Sequence, residues 1–153
     1  MKQFSRYLVV AAIAFVLGVT VARIPFARAA AAPLQPAAID LMTITTADMP
    51  PPTAIFPNLH VKQLFATDGV TAQLALGTAP KHYHAGAAEI QVILDGSGQE
   101  WLGDRKVDLR PGMMVVIPAG TAHSGTVDTS GGKLRLVAFK TPPQAPDDIH
   151  LMP

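Results

Sequence analysis

The sequence predicts an all-β domain, a sandwich or a barrel, and three observations predict it. From Leu59 onward, short β-prone runs alternate with turn residues every eight to twelve positions. Fourteen prolines and twelve glycines in 153 residues are too many for a helical bundle. After residue 57 no stretch shows the periodicity of a helix of ordinary length.

Charge and composition narrow the function classes. Residues 1–29 hold Lys2, Arg6, Arg23 and Arg28 and no acidic residue. The rest of the chain holds eight Lys or Arg against eleven Asp or Glu, so a chain of net charge +1 has a body of −3. A body of that sign lacks the cationic excess that binds phosphates, which excludes a strongly basic nucleic-acid binder. The absence of cysteine excludes a disulfide scaffold, a thiolate zinc site and a cysteine nucleophile.

Taken in order, the first element is the leader, residues 1–29. Met1–Arg6 is short and basic, and Tyr7–Ala22 is a charge-free apolar run of sixteen residues. Ala27-Arg28-Ala29 then forms a small-x-small cleavage site, the order of a secretory signal. Sixteen helical residues reach only ~24 Å, short of a hydrocarbon core of ~30 Å, so cleavage after Ala29 is expected over a spanning anchor. The leader thus predicts a signal helix and a periplasmic or secreted body. If uncleaved, it makes the chain membrane-anchored with a periplasmic barrel, and it is the chain's only expected membrane contact. Residues 30–58 hold the run Pro50-Pro51-Pro52 and little apolar periodicity, so they read as a Pro-rich linker or loosely docked arm. Ile39–Thr46 is its one candidate edge strand.

Nine strands are predicted next, within residues 59–141: His60–Phe65, Val70–Leu76, Lys81–His84, Ala88–Asp95, Gln99–Leu102, Lys106–Leu109, Met113–Ile117, Thr121–Val127 and Leu134–Phe139. Turn chemistry separates them, as at Asp68-Gly69, Asp95-Gly96-Ser97-Gly98 and Arg110-Pro111-Gly112. The Pro-containing tail, residues 142–153, reads as irregular.

One constellation carries chemistry. On a strand His82 and His84 project to the same face, a two-ligand edge for a metal. Glu89 opens the next strand and supplies a carboxylate at a third corner. His123 follows a tight Pro-x-Gly turn further on. Three imidazoles and one carboxylate suit a borderline divalent ion such as Mn, Fe, Ni, Zn, Co or Cu. By alternation Gln91 shares the face of Glu89 and reads as a group that orients a ligand or binds substrate. Glu89 and Gln91 are the catalytic candidates. Tyr83 faces away from the histidines. Trp101, Met113, Val115 and Phe139 read as lining or filling the barrel, and His60 and His150 as solvated. The inner wall is otherwise expected to be apolar.

From Gly77 to Gly96 the chain reads G-x4-H-x-H-x4-E-x6-G, and from Gly112 to His123 G-x5-P-x-G-x2-H. These blocks resemble the two motifs of the cupin superfamily, in its small single-domain bacterial form. The resemblance spans roughly Leu59–Lys140. It implies a double-stranded β-helix, a jelly-roll barrel, with His82, His84, Glu89 and His123 holding one metal inside. Two positions depart from the family pattern. One residue is missing between Gly77 and His82, and Val127 stands where the second motif closes on asparagine. Neither is a ligand position. The resemblance is compatible with a small-molecule metalloenzyme, by dioxygenase-like or Lewis-acid isomerase, lyase or decarboxylase chemistry. It is equally compatible with a non-catalytic binder of a small molecule or metal complex. A homodimer is a further expectation by analogy.

Overall fold

The computed structural model describes residues 33–153. The leader reading, residues 1–29 with its signal helix, lies outside the described residues. Ten strands form two five-stranded antiparallel sheets that face each other as a jelly-roll barrel. The first sheet runs β1 (Leu59–Ala66), β2 (Thr71–Gly77), β9 (Arg135–Thr141), β4 (Ala88–Asp95), β7 (Met114–Ile117). The second runs β10 (His150–Leu151), β3 (His82–Tyr83), β8 (His123–Asp128), β5 (Gly98–Leu102), β6 (Arg105–Leu109).

Nine of the strands are those expected from the sequence, β4 with the expected ends and the others with one or both ends shifted. The tenth, β10, comes from the tail that read as irregular. It pairs with β3, His150 opposite Tyr83 and Leu151 opposite His82. The sequence could not show this pairing because a two-residue strand has no alternation to read.

Strand alternation sorts the first sheet into two faces. Register places Glu89 opposite Lys140, Gln91 opposite Ala138 and Ile93 opposite Leu136. These side chains point into the barrel. The interior therefore changes character along its length. Ile93, Leu109, Val115, Ile117 and Leu134 pack one end as a dry core. Glu89, Gln91 and Lys140 occupy the other end.

The outer face of the same sheet is covered by the N-terminal arm. Met49 packs with Leu74 and Val137, flanked by Leu41, Ile44, Leu64 and Phe139. Lys62 Nζ donates to the Asp48 carbonyl at 2.8 Å, and Arg135 donates to the Leu41 carbonyl. The arm packs on the sheet through these residues. Ile39–Thr46 is not a strand but a turn leading into a 3₁₀ segment at Thr46–Asp48. Its apolar residues serve outer packing rather than sheet pairing. Phe139, expected inside the barrel, lies in this outer layer. Trp101 is also outside, flanked by the Lys81 and Lys106 ammonium groups at 4.5 and 5.3 Å from its ring. Val115 is buried in the interior core with Met113 packed against it, as expected.

Two glycines bound the first motif for a steric reason. Gly77 has φ +112°, and a Cβ there would sit 2.1 Å from the Asn58 carbonyl oxygen. Gly96 has φ +77°, and its Cβ would lie 2.6 Å from the Leu134 nitrogen. No side chain fits either place without moving backbone.

Candidate metal centre

The four residues singled out by spacing meet inside the barrel. β3 delivers His82, and His84 follows two residues later. His123 opens β8 directly opposite His82. Glu89 lies near the start of β4. Each of the three histidines offers a ring nitrogen, and these nitrogens lie within 4.8 Å of one another. All three rings are buried. Glu89 Oε2 is 3.2 Å from His84 Nε2 and 3.6 Å from His123 Nε2.

Hydrogen bonds on the far side of each ring set its tautomer. His82 Nδ1 meets the Pro80 carbonyl at 2.8 Å, His84 Nδ1 the Asp148 carbonyl at 2.5 Å, and His123 Nδ1 the Thr121 carbonyl at 3.0 Å. A carbonyl oxygen only accepts, so each Nδ1 carries the hydrogen. In the neutral ring Nε2 is then an acceptor. The centre thus holds inward-facing imidazole lone pairs beside a carboxylate. His123 Nε2 is fully buried and has no hydrogen-bond partner. Inward Nε2 lone pairs suit a cation, and an Nδ1–H held by a backbone carbonyl is the arrangement seen behind histidine metal ligands. The residues therefore fit a divalent ion.

Electrostatics agree. Burial, helped by the neighbouring His123, pushes the His82 ring down to about 4, which keeps it neutral at physiological pH. Burial works to raise the Glu89 carboxyl. Without an ion, hydrogen bonds donated to it by His123 and His84 when protonated, together with the Lys140 ammonium, outweigh this and hold the carboxyl well below its usual range.

Three groups at the centre were not found from the sequence. Lys140 Nζ is 3.5 Å from Glu89 Oε2 and also donates to Gln144 Oε1. It lies at a strand end, where a lysine normally reads as solvated. Glu100 is 1% exposed and its Oε1 has no partner. It falls in the register break between Gln99, which faces Val127, and Trp101, which faces Ser124, and it pairs with Val107 on its other side. Plain alternation along β5 puts Glu100 on the inward face with Gly98 and Leu102, but it does not tell that the carboxyl is buried there without a partner. Burial pushes the Glu100 carboxyl up to about 7.

The third is Asp148 in the tail. Besides its carbonyl on His84, its carboxylate accepts the amides of Ala85, Gly86 and Ala87, the closest at 2.6 Å. Burial works against its ionisation, but the Gly86, Ala85 and Ala87 amides hold its carboxyl below the ordinary value.

Gln91 points inward as expected, and its Nε2 donates to Glu89 Oε1 at 2.9 Å. Tyr83 faces outward and stacks on His150, ring centroids 4.7 Å apart. His60 meets the Pro50 carbonyl at 3.1 Å, away from the centre. Phe56, from the arm, packs against His82 with ring centroids 5.1 Å apart.

A cavity of about 300 Å³ opens beside the centre, with His82, Glu89, Gln91, Glu100, Ser124 and Lys140 in its wall. The rest of the wall is mostly apolar, as expected, with Ile55, Phe56, Leu59, Val61, Leu136 and Ala138 among its residues. Polar groups from both sheets converge on the cavity.

Residues 73–139 match the family model described as "Cupin domain". That match supports placing the chain in the cupin superfamily. No curated protein matches the chain. Among solved structures, KdgF from Halomonas sp. aligns with a TM-score of 0.53 and 21% identity, over 59% of this chain and 85% of that one. The polyketide cyclase RemF from Streptomyces resistomycificus gives 0.55 and 21%, over 71% and 83%. A variant of Streptomyces PAC13 with uridine gives 0.59 and 10%, over 71% and 88%. At these identities the likeness concerns the fold.

Proposed function

We propose that this chain is a metal-binding cupin acting on a small molecule, with His82, His84, His123 and Glu89 as ligands of one divalent ion. One observation carries the reading: the inward lone pairs of three buried imidazoles face a carboxylate, and the buried His123 Nε2 has no partner. The ion would supply Lewis acidity, or redox chemistry if it is Fe, Mn, Ni or Cu. Three neutral imidazoles, one carboxylate and a divalent ion leave a net charge of about +1. Lys140 adds a second positive charge at the cavity wall. The centre therefore favours an anionic oxygen ligand. Gln91 orients Glu89, and Phe56 shields His82 from water.

That the neighbours include a polyketide cyclase and a protein solved with uridine is in keeping with a small-molecule substrate. The leader supports an exported protein, cleaved after Ala29 and working in the periplasm or outside the cell. N-terminal sequencing of the protein from a periplasmic extract tests that part, and an intact leader would overturn it.

For the chemistry, chelator-stripped protein is reloaded with single ions and offered enolisable acids and catechol-like compounds. Oxygen uptake and product formation are then followed. Metal-dependent turnover supports the enzyme. Tight ligand binding without turnover by any ion assigns the chain to the non-catalytic binders.

A further inference from the structure

The cavity wall specifies what its ligand must bring. Gln91 Nε2 donates to Glu89 Oε1, and a carboxylate only accepts, so the amide cannot be turned the other way. Gln91 Oε1 is thereby left as an acceptor, buried and without a partner. The Glu100 carboxyl, whose Oε1 is also buried and unpartnered on the opposite sheet, keeps an acceptor oxygen whether or not it is protonated. Gln91 is 3% exposed and Glu100 1%, so bulk water does not satisfy them. Leaving such groups unpaired costs stability, and a ligand carrying donors recovers it.

Lys140 supplies the opposite requirement. Its ammonium has three donors, and the side-chain contacts to Glu89 Oε2 and Gln144 Oε1 account for two. A third donor remains beyond these two, and Lys140 lines the cavity. The volume, about 300 Å³, is at the small end of ligand pockets.

We propose that the cavity recognises a small hydroxy acid: its carboxylate lies against Lys140 and the metal side, and its hydroxyl groups donate to Gln91 Oε1 and Glu100 Oε1. This rests on the metal reading above, since the ion and Lys140 together make the anionic end favourable. Hydroxyl is the fitting donor because an ammonium group would meet the positive charge of Lys140 and the ion.

Zinc-loaded protein, titrated calorimetrically with glycerate, lactate, propanoate and alanine, tests it. Zinc content is measured on the same samples. Glycerate and lactate should bind at least about tenfold more tightly than propanoate, and alanine no better than propanoate. In Glu100→Leu the preference should fall to about twofold or less with zinc content unchanged. Glu100→Gln, which keeps an acceptor, should restore it.

Chelation of the ion by a hydroxy acid would also favour glycerate and lactate. In that case the preference survives in Glu100→Leu, and the inference is overturned. Equal affinity for lactate and propanoate, tighter binding of alanine, or no binding of any acid to zinc-retaining protein overturns it as well. Protein that holds no zinc removes the metal reading itself, and the inference with it.

Discussion

His84 and Asp148 are 64 residues apart in sequence and meet through one hydrogen bond of 2.5 Å, ring Nδ1 to backbone carbonyl. The same aspartate holds the amides of Ala85, Gly86 and Ala87 with its carboxylate. The tail thus fixes both the tautomer of His84 and the loop that leads to Glu89. Asp148→Ala keeps the carbonyl behind His84 but releases the loop amides, and should weaken zinc binding about tenfold, the low end of the usual cost of disturbing the support of a metal ligand. Competition against a chromophoric chelator measures it. Truncation after Asp147, which also removes the carbonyl, should cost more. Unchanged affinity in both would mean that the tail does not support the centre.

Lys140 and Glu89 form a buried pair, and the pair has two alternative partners for its negative charge. In metal-free protein, Lys140→Met leaves a buried carboxylate with less compensation and should cost about 3 kcal/mol. With the ion in place that cost should shrink, because the ion now faces the carboxylate. Urea unfolding of the stripped and loaded forms gives both values. An equal cost in the two forms contradicts Glu89 as a ligand.

Glu100 gives a pH signature with a defined sign. Its carboxyl is raised to about 7 in the folded protein from an ordinary 4.5. Between those values the folded state binds more protons than the unfolded, so this group's contribution to stability is lost as pH rises through the window. Glu100→Gln does not titrate. In metal-free protein the melting temperature of Glu100→Gln minus that of the parent should climb from about pH 4.5 to 7 and then level off. A flat difference would mean that Glu100 is not held protonated by burial.

Much of this was legible in the sequence and some was not, for physical reasons. Histidines 82, 84 and 123 and Glu89 were legible because strand alternation and turn spacing are local rules. The strands were legible for the same reason. Glu100 was not, because alternation gives its face but not the absence of any partner for a carboxyl buried there. Lys140 was not, because only the pairing of β9 with β4 puts it beside Glu89. Asp148 was not, because its role depends on a contact across the whole domain. The arm misled because apolar residues that cover a sheet from outside follow no strand or helix period.

Met49 measures how firmly that arm is docked. It is 8% exposed and packs on Leu74 and Val137. Met49→Ala should cost about 2–3 kcal/mol in urea unfolding. A cost below ~0.5 kcal/mol, as for an exposed residue, would return the arm to the status of a linker.

The central claim is that three histidines and Glu89 hold a metal, and elemental analysis of the purified protein tests it most directly. Protein prepared without chelators should contain close to one divalent ion per chain. His82→Ala and His123→Ala, each still folded by circular dichroism, should contain almost none. Metal content that is unchanged in the variants, or absent from the parent after exposure to each candidate ion, would contradict the account.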